Sequence, residues 1–430
     1  MKAYIDRSKE ELLSLKEELT KKYDEYKSLN LSLNMMRGNP APEQLDLSNN
    51  LFENFDETGF TSADGSDCRN YGVPFGLTEV RQLFADILDT EMENVIVGNS
   101  SSLNMMFDTL MRACAFGEVD SDKAWFQIEG RKWLCPVPGY DRHFKVTQQL
   151  GFDLIPVPMT ENGPDMDIVE KLVSEDDKIL GMWCIPVYSN PDGYVYSKET
   201  CERLCSMKTA ANDFRIFWDN AYIVHHLYDD VNEQAKYEDI LKLAAKCGNP
   251  NRIYEFASTS KISFAGAGLA CMAANQVNLD NAKKILAVQT ICSNKVNQLA
   301  HAHMFPNLDA IKERMSQHAA ILRPKFEKVV EILNRELEGT GIINWNTPKG
   351  GFFVSVFVYN GTANTVVNMC KDLGVLLTPA GATYPYGKDP DDSNIRIAPS
   401  YPSIEDIDKA INVFATCVKL AAVNKILEEK

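Results

Sequence analysis

Long apolar runs are missing from this chain. No stretch of about 18 consecutive apolar residues, the length a membrane helix needs, occurs anywhere, and the first residues, Met1 to Glu10, mix both charge signs without an apolar core. Neither a membrane span nor a secretory leader is therefore expected. Paired cysteines are missing too: eleven, an odd number, are scattered from Cys68 to Cys417 without a C-x-x-C pair. That argues against a disulfide framework and a zinc site, so no metal is expected, and it points to a reduced, cytoplasmic setting. Basic charge is in deficit, with 44 Lys and Arg against 60 Asp and Glu and a net charge of −16. Nucleic acid and anionic membranes are accordingly not expected as partners. Repeats and low-complexity tracts are also lacking.

What remains is ordinary for a globular enzyme: 430 residues, 45% hydrophobic and 24% charged. That length is large for one core, so two domains are expected. Residues 8 to 28 have Leu12, Leu15, Leu19, Tyr23 and Tyr26 at helical spacing, with Ser8 as N-cap before Glu11. A turn-rich stretch, Met36-Arg37-Gly38-Asn39-Pro40, follows and reads either as a connector or as a loop reaching a ligand. A second glycine-proline loop, Asn70-Tyr71-Gly72-Val73-Pro74, precedes a helical stretch from Leu77 to Leu88. Next, the strand-like Asn94 to Val97 runs into Gly98-Asn99-Ser100-Ser101-Ser102 and a helix from Leu103. Strand, hydroxyl-rich turn and helix place backbone N–H groups where an anion such as phosphate is favoured. A serine N-cap without a ligand reads the same way.

A strand or extended run from Trp133 that ends in Tyr140 on a turn, and short strands at Leu154 to Pro158, Ile179 to Ile185, Phe214 to Trp218 and Ile253 to Phe256, alternate with helical segments at Met166 to Val173 and Lys198 to Ala211. This is the pattern of a parallel sheet with crossover helices, whose ligands bind past the carboxyl ends of the strands. Tyr140 follows the first of these strands, Asn190 the third, Asp219 and Tyr222 the fourth, and Ser258 and Lys261 the fifth. Lys261 stands among hydroxyls and small residues with no acid beside it. Such an amine can lose its proton on burial, as a Schiff-base lysine must; a surface loop lysine after a short strand is the plainer reading. From about residue 275 helical periodicity dominates, with a polar loop expected around Ser293 to Asn297 and a long helix through Ile311 to Leu337. Strands at Gly350 to Phe357, Val375 to Pro379 and Ile395-Arg396-Ile397 then suggest a smaller α/β unit.

Taken in order, these residues resemble the fold type I pyridoxal 5′-phosphate (PLP) enzymes, specifically the class I aminotransferases, and most closely the bacterial aspartate aminotransferase subgroup with a divergent phosphate site. The resemblance runs from Gly38 to Arg396. It implies an α/β architecture with a large domain built on a mainly parallel seven-stranded sheet and a smaller α/β domain built from both chain ends. The corresponding boundaries are 1–60 for the N-terminal helix and arm, 61–305 for the PLP-binding domain and 306–430 for the C-terminal domain.

By that resemblance Lys261 is the lysine that bonds the cofactor aldehyde and moves the substrate proton, and Asp219 pairs with the pyridinium nitrogen. Asn190 and Tyr222 match the partners of the cofactor 3′-oxygen, and Tyr140 the aromatic that stacks on its ring. Ser100, Ser101, Ser102 and Ser258 fall at the phosphate, with Tyr71 reaching it from the other subunit of a homodimer. Arg396 matches the clamp for the substrate α-carboxylate, and Gly38 lines the same end. One departure is plain: the family usually has a phosphate-binding arginine where this chain has Leu269, leaving Arg37 and Lys295 as candidate cations. Lys295, Asn297 and Gln298 are expected at the subunit boundary, where Lys295, Asn297 or Gln298 would contact a substrate side chain. The implied activity is transfer of an amino group between an amino acid, aspartate or glutamate, and a 2-oxo acid such as 2-oxoglutarate. A β-lyase or decarboxylase on the same scaffold, and a non-catalytic regulatory module, are the alternatives.

Overall fold

The computed structural model describes residues 3–53, 55, 59–98, 100–237 and 239–430; Met1 of the leading segment and Asn99 of the serine turn lie outside them. An eight-stranded sheet forms the centre, ordered Val95–Val97, Ala270–Ala273, Ile253–Ser258, Arg215–Asp219, Ile179–Cys184, Lys132–Val137, Asp153–Thr160 and Gly163–Pro164. The expected seven strands are there, and the eighth is a two-residue antiparallel return. Pairing is parallel through the middle, from Ile253–Ser258 to Asp153–Thr160, and antiparallel at both edges. Ile179–Cys184 and Arg215–Asp219 are buried along their whole length, as central parallel strands covered on both faces should be.

Aromatic packing fixes this centre. Trp133 is fully buried and its ring meets Trp125, Phe152, Trp183 and Phe217 at centroid separations of 6.1, 5.4, 5.5 and 5.3 Å. Gly181 makes room for it: a Cβ there would run into the Trp133 ring and lie 2.6 Å from the Arg215 carbonyl. The carboxyl ends of the parallel strands deliver Tyr140, Asn190, Asp219 and Lys261 to one end of the sheet.

Both chain ends meet in a second buried apolar cluster, which draws on Leu12, Leu19 and Met35 as well as Leu322 through Ile426. The helix Lys9–Lys27 opens with the expected capping box between Ser8 and Glu11. Leu33–Asn34 pairs in parallel with Val375–Leu376, tying the N-terminal arm to the C-terminal part. A three-stranded antiparallel sheet, Ile343–Trp345, Val354–Val358 and Asn394–Ile397, carries Arg396. The last helix, Ile404–Glu429, is long and apolar enough to cross a membrane, yet 72% of its most apolar window is buried inside the molecule. It packs on the helices Lys9–Lys27 and Leu308–Leu337 as a core element.

One local expectation is corrected. The loop expected around Ser293 to Asn297 ends at Asn294, whose side chain accepts the N–H of Asn297 and caps a helix, Lys295–Met304.

Replacing Trp133 with alanine should remove the hub of the aromatic floor and lower the unfolding free energy by about 3–5 kcal/mol. Guanidinium titration of the two proteins measures it, and an unchanged midpoint would mean that the floor does not support the sheet.

Candidate active site

A cleft of about 800 Å³ opens at the carboxyl ends of the central strands and is closed on the far side by Phe353, Thr378 and Arg396. Lys261 lies in the turn between Ile253–Ser258 and Ala270–Ala273, and its amine stands 4.9 Å from the Tyr222 ring centroid and 5.7 Å from that of Phe352. Asp219, the last residue of its strand, is 3% exposed. Its Oδ2 is 3.0 Å from Nε2 of His143, whereas its Oδ1 is buried without a partner among the described residues. His143 is itself 1% exposed and stacked on Trp183 at 4.3 Å. Sequence reasoning missed this histidine. The available signal was its place on the buried face of helix Asp141–Gln149, beside Phe144 and Thr147, one turn beyond Tyr140.

Tyr222, Asn190 and Tyr140 join the same cleft. Burial, reinforced by the charge of Asp219, raises the Tyr222 phenol well above its ordinary range, although Arg396 and a hydrogen bond from Asn190 pull the other way. Burial pushes Tyr140 up to about 12 against the opposing charge of Lys261. Arg396 projects from Asn394–Ile397, with Nη1 donating to Asn190 Oδ1 at 3.1 Å and to Asp141 Oδ1 at 3.3 Å. Its guanidinium lies over the Phe353 ring at 4.8 Å, and its Nε is buried with no partner among the described residues. Gly38 completes this end; a Cβ there would meet the Phe353 ring at 2.7 Å, so only glycine lets the arm Met36–Pro40 come this close.

The opposite end is a cradle of hydroxyls. Ser101, Ser102, Ser258 and Ser260 line it, while Ser100 stands behind, its carbonyl accepting the Ser260 hydroxyl at 3.3 Å. Ser101 caps the helix Ser102–Phe116, accepting the N–H of Asn104. Leu269 is buried away from this cradle, its N–H donating to the Thr259 hydroxyl at 2.9 Å. Arg37 lines the cleft, as do Arg142 and Lys145, two cations that sequence reasoning did not single out.

Lys295, Asn297 and Tyr71 are not brought to the cleft of this chain. Lys295 is 2% exposed and donates to the Tyr71 carbonyl at 2.9 Å; Asn297 donates to the Ala267 carbonyl at 2.8 Å. Gln298 accepts the N–H of Leu77. The Tyr71 side chain points outward, with the residue 74% exposed.

An amine, an unpaired carboxylate oxygen and a guanidinium thus face one cavity, with hydroxyl donors at its other end. This donor set fits a ring carrying an N–H, an aldehyde and a phosphate: the orphaned Asp219 Oδ1 asks for a donor, and the amine is placed to bond a carbonyl carbon.

Comparison with known proteins gives the same direction. A family model described as Aspartate amino-transferase matches residues 7–430. An aspartate aminotransferase from Corynebacterium glutamicum is 46% identical over 406 residues, which is 94% of this chain and 93% of that protein. The crystal structure of an aspartate transaminase from Corynebacterium glutamicum superposes with a TM-score of 0.96 at 44% identity and covers 99% of both chains. LysN, an alpha-aminoadipate aminotransferase from Thermus thermophilus solved with N-(5′-phosphopyridoxyl)-L-leucine, has a TM-score of 0.72 at 19% identity, covering 92% of this chain and 93% of that one. At that identity the likeness concerns the fold alone.

A further buried acid is Asp192, in the segment that follows the strand Ile179–Cys184. Asp192 is 2% exposed, one of its oxygens has no partner among the described residues, and burial raises its pKa to about 7 despite a hydrogen bond from Ser355. The folded protein thus binds this proton more tightly than the unfolded chain. Its contribution to stability is complete below about pH 4, the ordinary aspartate range, and is lost as pH rises through about 7. In Asp192→Asn the group does not titrate, so the gap in Tm between variant and wild type should widen in favour of the variant from roughly pH 4 to pH 8. Melting curves that stay parallel across that range would contradict the assignment.

Proposed function

The chain belongs to the aspartate amino-transferase family and is an aminotransferase, acting on amino and oxo acids; from that premise we propose that it holds pyridoxal 5′-phosphate in this cleft and moves the amino group of aspartate or glutamate to a 2-oxo acid such as 2-oxoglutarate. The observation that carries the reading is the unpaired Asp219 Oδ1 in the same cleft as the Lys261 amine and Arg396. The 46% identity to an aspartate aminotransferase supports the acidic substrate.

When bound, the cofactor supplies an aldehyde carbon for the amino nitrogen and an electron-poor ring that stabilises negative charge at the substrate Cα. The protein does the rest. Lys261 Nζ would hold the aldehyde carbon and, as a free amine, would carry the Cα proton as base and then acid. Asp219 Oδ1 would accept from the ring nitrogen, with Oδ2 held by His143. Asn190 and Tyr222 would donate to the ring oxygen, and Tyr140 would pack against the ring. Ser100, through its backbone, and the hydroxyls of Ser101, Ser102 and Ser258 hold the phosphate. Arg396 and Gly38 receive the α-carboxylate, which fixes the Cα–H bond relative to the ring.

The outward Tyr71 supports a homodimer in which this side chain enters the neighbouring site. Lys295, gripping the Tyr71 carbonyl from inside, then acts on the partner's site through that loop, with Asn297 and Gln298 as its buried support. The two apolar clusters follow a large domain over 61–305 and a small one from 1–60 and 306–430 in most of their members, with Ile311 and Met315 joining the first and Ile185, Val187, Tyr188, Tyr222 and Leu227 the second. A cytoplasmic location accords with the free cysteines.

Aspartate or glutamate added to the cofactor-loaded protein should shift its visible absorbance toward that of the amine form of the cofactor, and 2-oxoglutarate should reverse it. Lys261→Ala should lose roughly 10²–10⁴-fold in kcat. Undiminished turnover in that variant would end the proposal for Lys261; no spectral response to either amino acid in wild type would end the proposal for the substrate.

A further inference from the structure

The turn that carries Lys261 is held from behind by a side chain that does not line the cleft. His318, on the helix Leu308–Leu337, is 1% exposed. Its Nε2 stands 3.0 Å from the carbonyl oxygen of Ile262, the residue next to Lys261, and its Nδ1 stands 2.8 Å from Nε2 of Gln44. The Gln44 carbonyl oxygen accepts the N–H of Ala41 at 3.0 Å, so the amide turns its NH₂ group to the ring. A backbone carbonyl only accepts. Nε2 must then carry the proton and donate to Ile262, while bare Nδ1 accepts from Gln44. Both ring nitrogens are used and one neutral tautomer is fixed. Burial lowers the pKa to about 4, which Arg314 reinforces and the Ile262 carbonyl opposes, so the ring stays neutral near pH 7.

The other end of this chain of bonds matters as much. Gln44 and Ala41 directly follow the arm Met36–Pro40, which lines the cleft and brings Gly38 against Phe353. One imidazole therefore bridges two walls of the site that come from opposite parts of the sequence: the lysine turn through Ile262, and the N-terminal arm through Gln44. Neither His318 nor Gln44 lines the cleft, so neither touches substrate.

We propose that His318 is a positioning residue that fixes the Lys261 turn relative to the arm Met36–Pro40, holding the amine at a set distance from the wall that receives the substrate. The proposal rests on the role given to Lys261 above. Its two bonds serve different ends. The Nε2 bond sets the height of the amine and so governs proton transfer; the Nδ1 bond sets the arm and so governs substrate binding.

Each bond can be removed separately in the holoenzyme. The side-chain nitrogen of glutamine reaches the place of Nε2, whereas that of asparagine reaches only the place of Nδ1. His318→Gln should therefore keep the Ile262 bond and nearly wild-type kcat. His318→Asn should lose that bond, with kcat falling by roughly ten- to a hundredfold from a misplacement of under about 1 Å while KM changes little. The pH at which the bound cofactor changes colour, which reports the surroundings of the Lys261 nitrogen, should shift in His318→Asn and stay in His318→Gln. Gln44→Leu should raise KM and leave kcat and that pH near wild type.

A folded His318→Asn protein with wild-type kcat and colour change overturns the proposal, as does an equal loss in the asparagine and glutamine variants. If the asparagine variant does not fold, the other two decide: both lose the Nδ1–Gln44 bond, so a raised KM in both with kcat and the colour change near wild type supports the bridge, and a wild-type KM in both refutes it. Wild-type protein that takes up no cofactor overturns the functional reading as well, whereas cofactor uptake with indifferent variants overturns this inference alone.

Discussion

Asp219 ends a fully buried strand with one oxygen on His143 and the other on nothing among the described residues. An unsatisfied polar atom in such a place costs about 1–3 kcal/mol, and more when it is charged, so a fold that keeps one must hold it firmly. The holding is visible. Strands on both sides fix the backbone of Asp219, His143 fixes one oxygen, and Trp183 stacks on His143 and joins it to the aromatic floor around Trp133. Asp219 thus lines the cleft from a rigid wall with one oxygen unpaired among the described residues, and the most direct reason to maintain that oxygen is a donor that arrives with a ligand.

From this constraint the remaining geometry follows in order. Lys261, Tyr222 and Arg396 line the same cavity as Asp219. On the proposed reading the hydroxyl cradle would receive the phosphate, and the arm with Gly38 the substrate. Neutral imidazoles hold the turn near the lysine. His301 and His318 are both buried, with pKa values lowered to about 4, and both hold the residues flanking Lys261 through hydrogen bonds to Thr259, Ser263 and Ile262. A turn gripped by neutral imidazoles is fixed without placing a competing positive charge beside the amine, which matters for a group that has to be uncharged when it reacts.

Much of this was legible in the sequence because the site is built at strand ends. Strands announce themselves by short apolar runs, and the polar residue that follows each run is forced to one edge of a parallel sheet; Tyr140, Asn190, Asp219 and Lys261 were located in this way. Ser8 and Glu11 announced their capping box by spacing alone. The misses share a different origin. His143 and His318 sit on amphipathic helices among apolar neighbours, where a buried histidine leaves no mark distinguishing it from any other core residue. The run Ser293-Asn294-Lys295 reads as loop composition, but the same residues make a helix N-cap, and only tertiary packing decides that Lys295 turns inward to the Tyr71 carbonyl. Leu269 is an apolar side chain where the family resemblance leads one to expect an arginine. The serines proposed to hold the phosphate come from two separate turns, joined by a contact between Ser260 and Ser100 that no local pattern encodes.

The central claim is that the open oxygen of Asp219 holds a proton-bearing ring nitrogen opposite the Lys261 amine. Nitrogen NMR on protein loaded with cofactor labelled at the ring nitrogen tests this directly. The account expects a protonated nitrogen in wild type and loss of that protonation in Asp219→Ala; an unprotonated ring in wild type, or the same signal in both proteins, would contradict it.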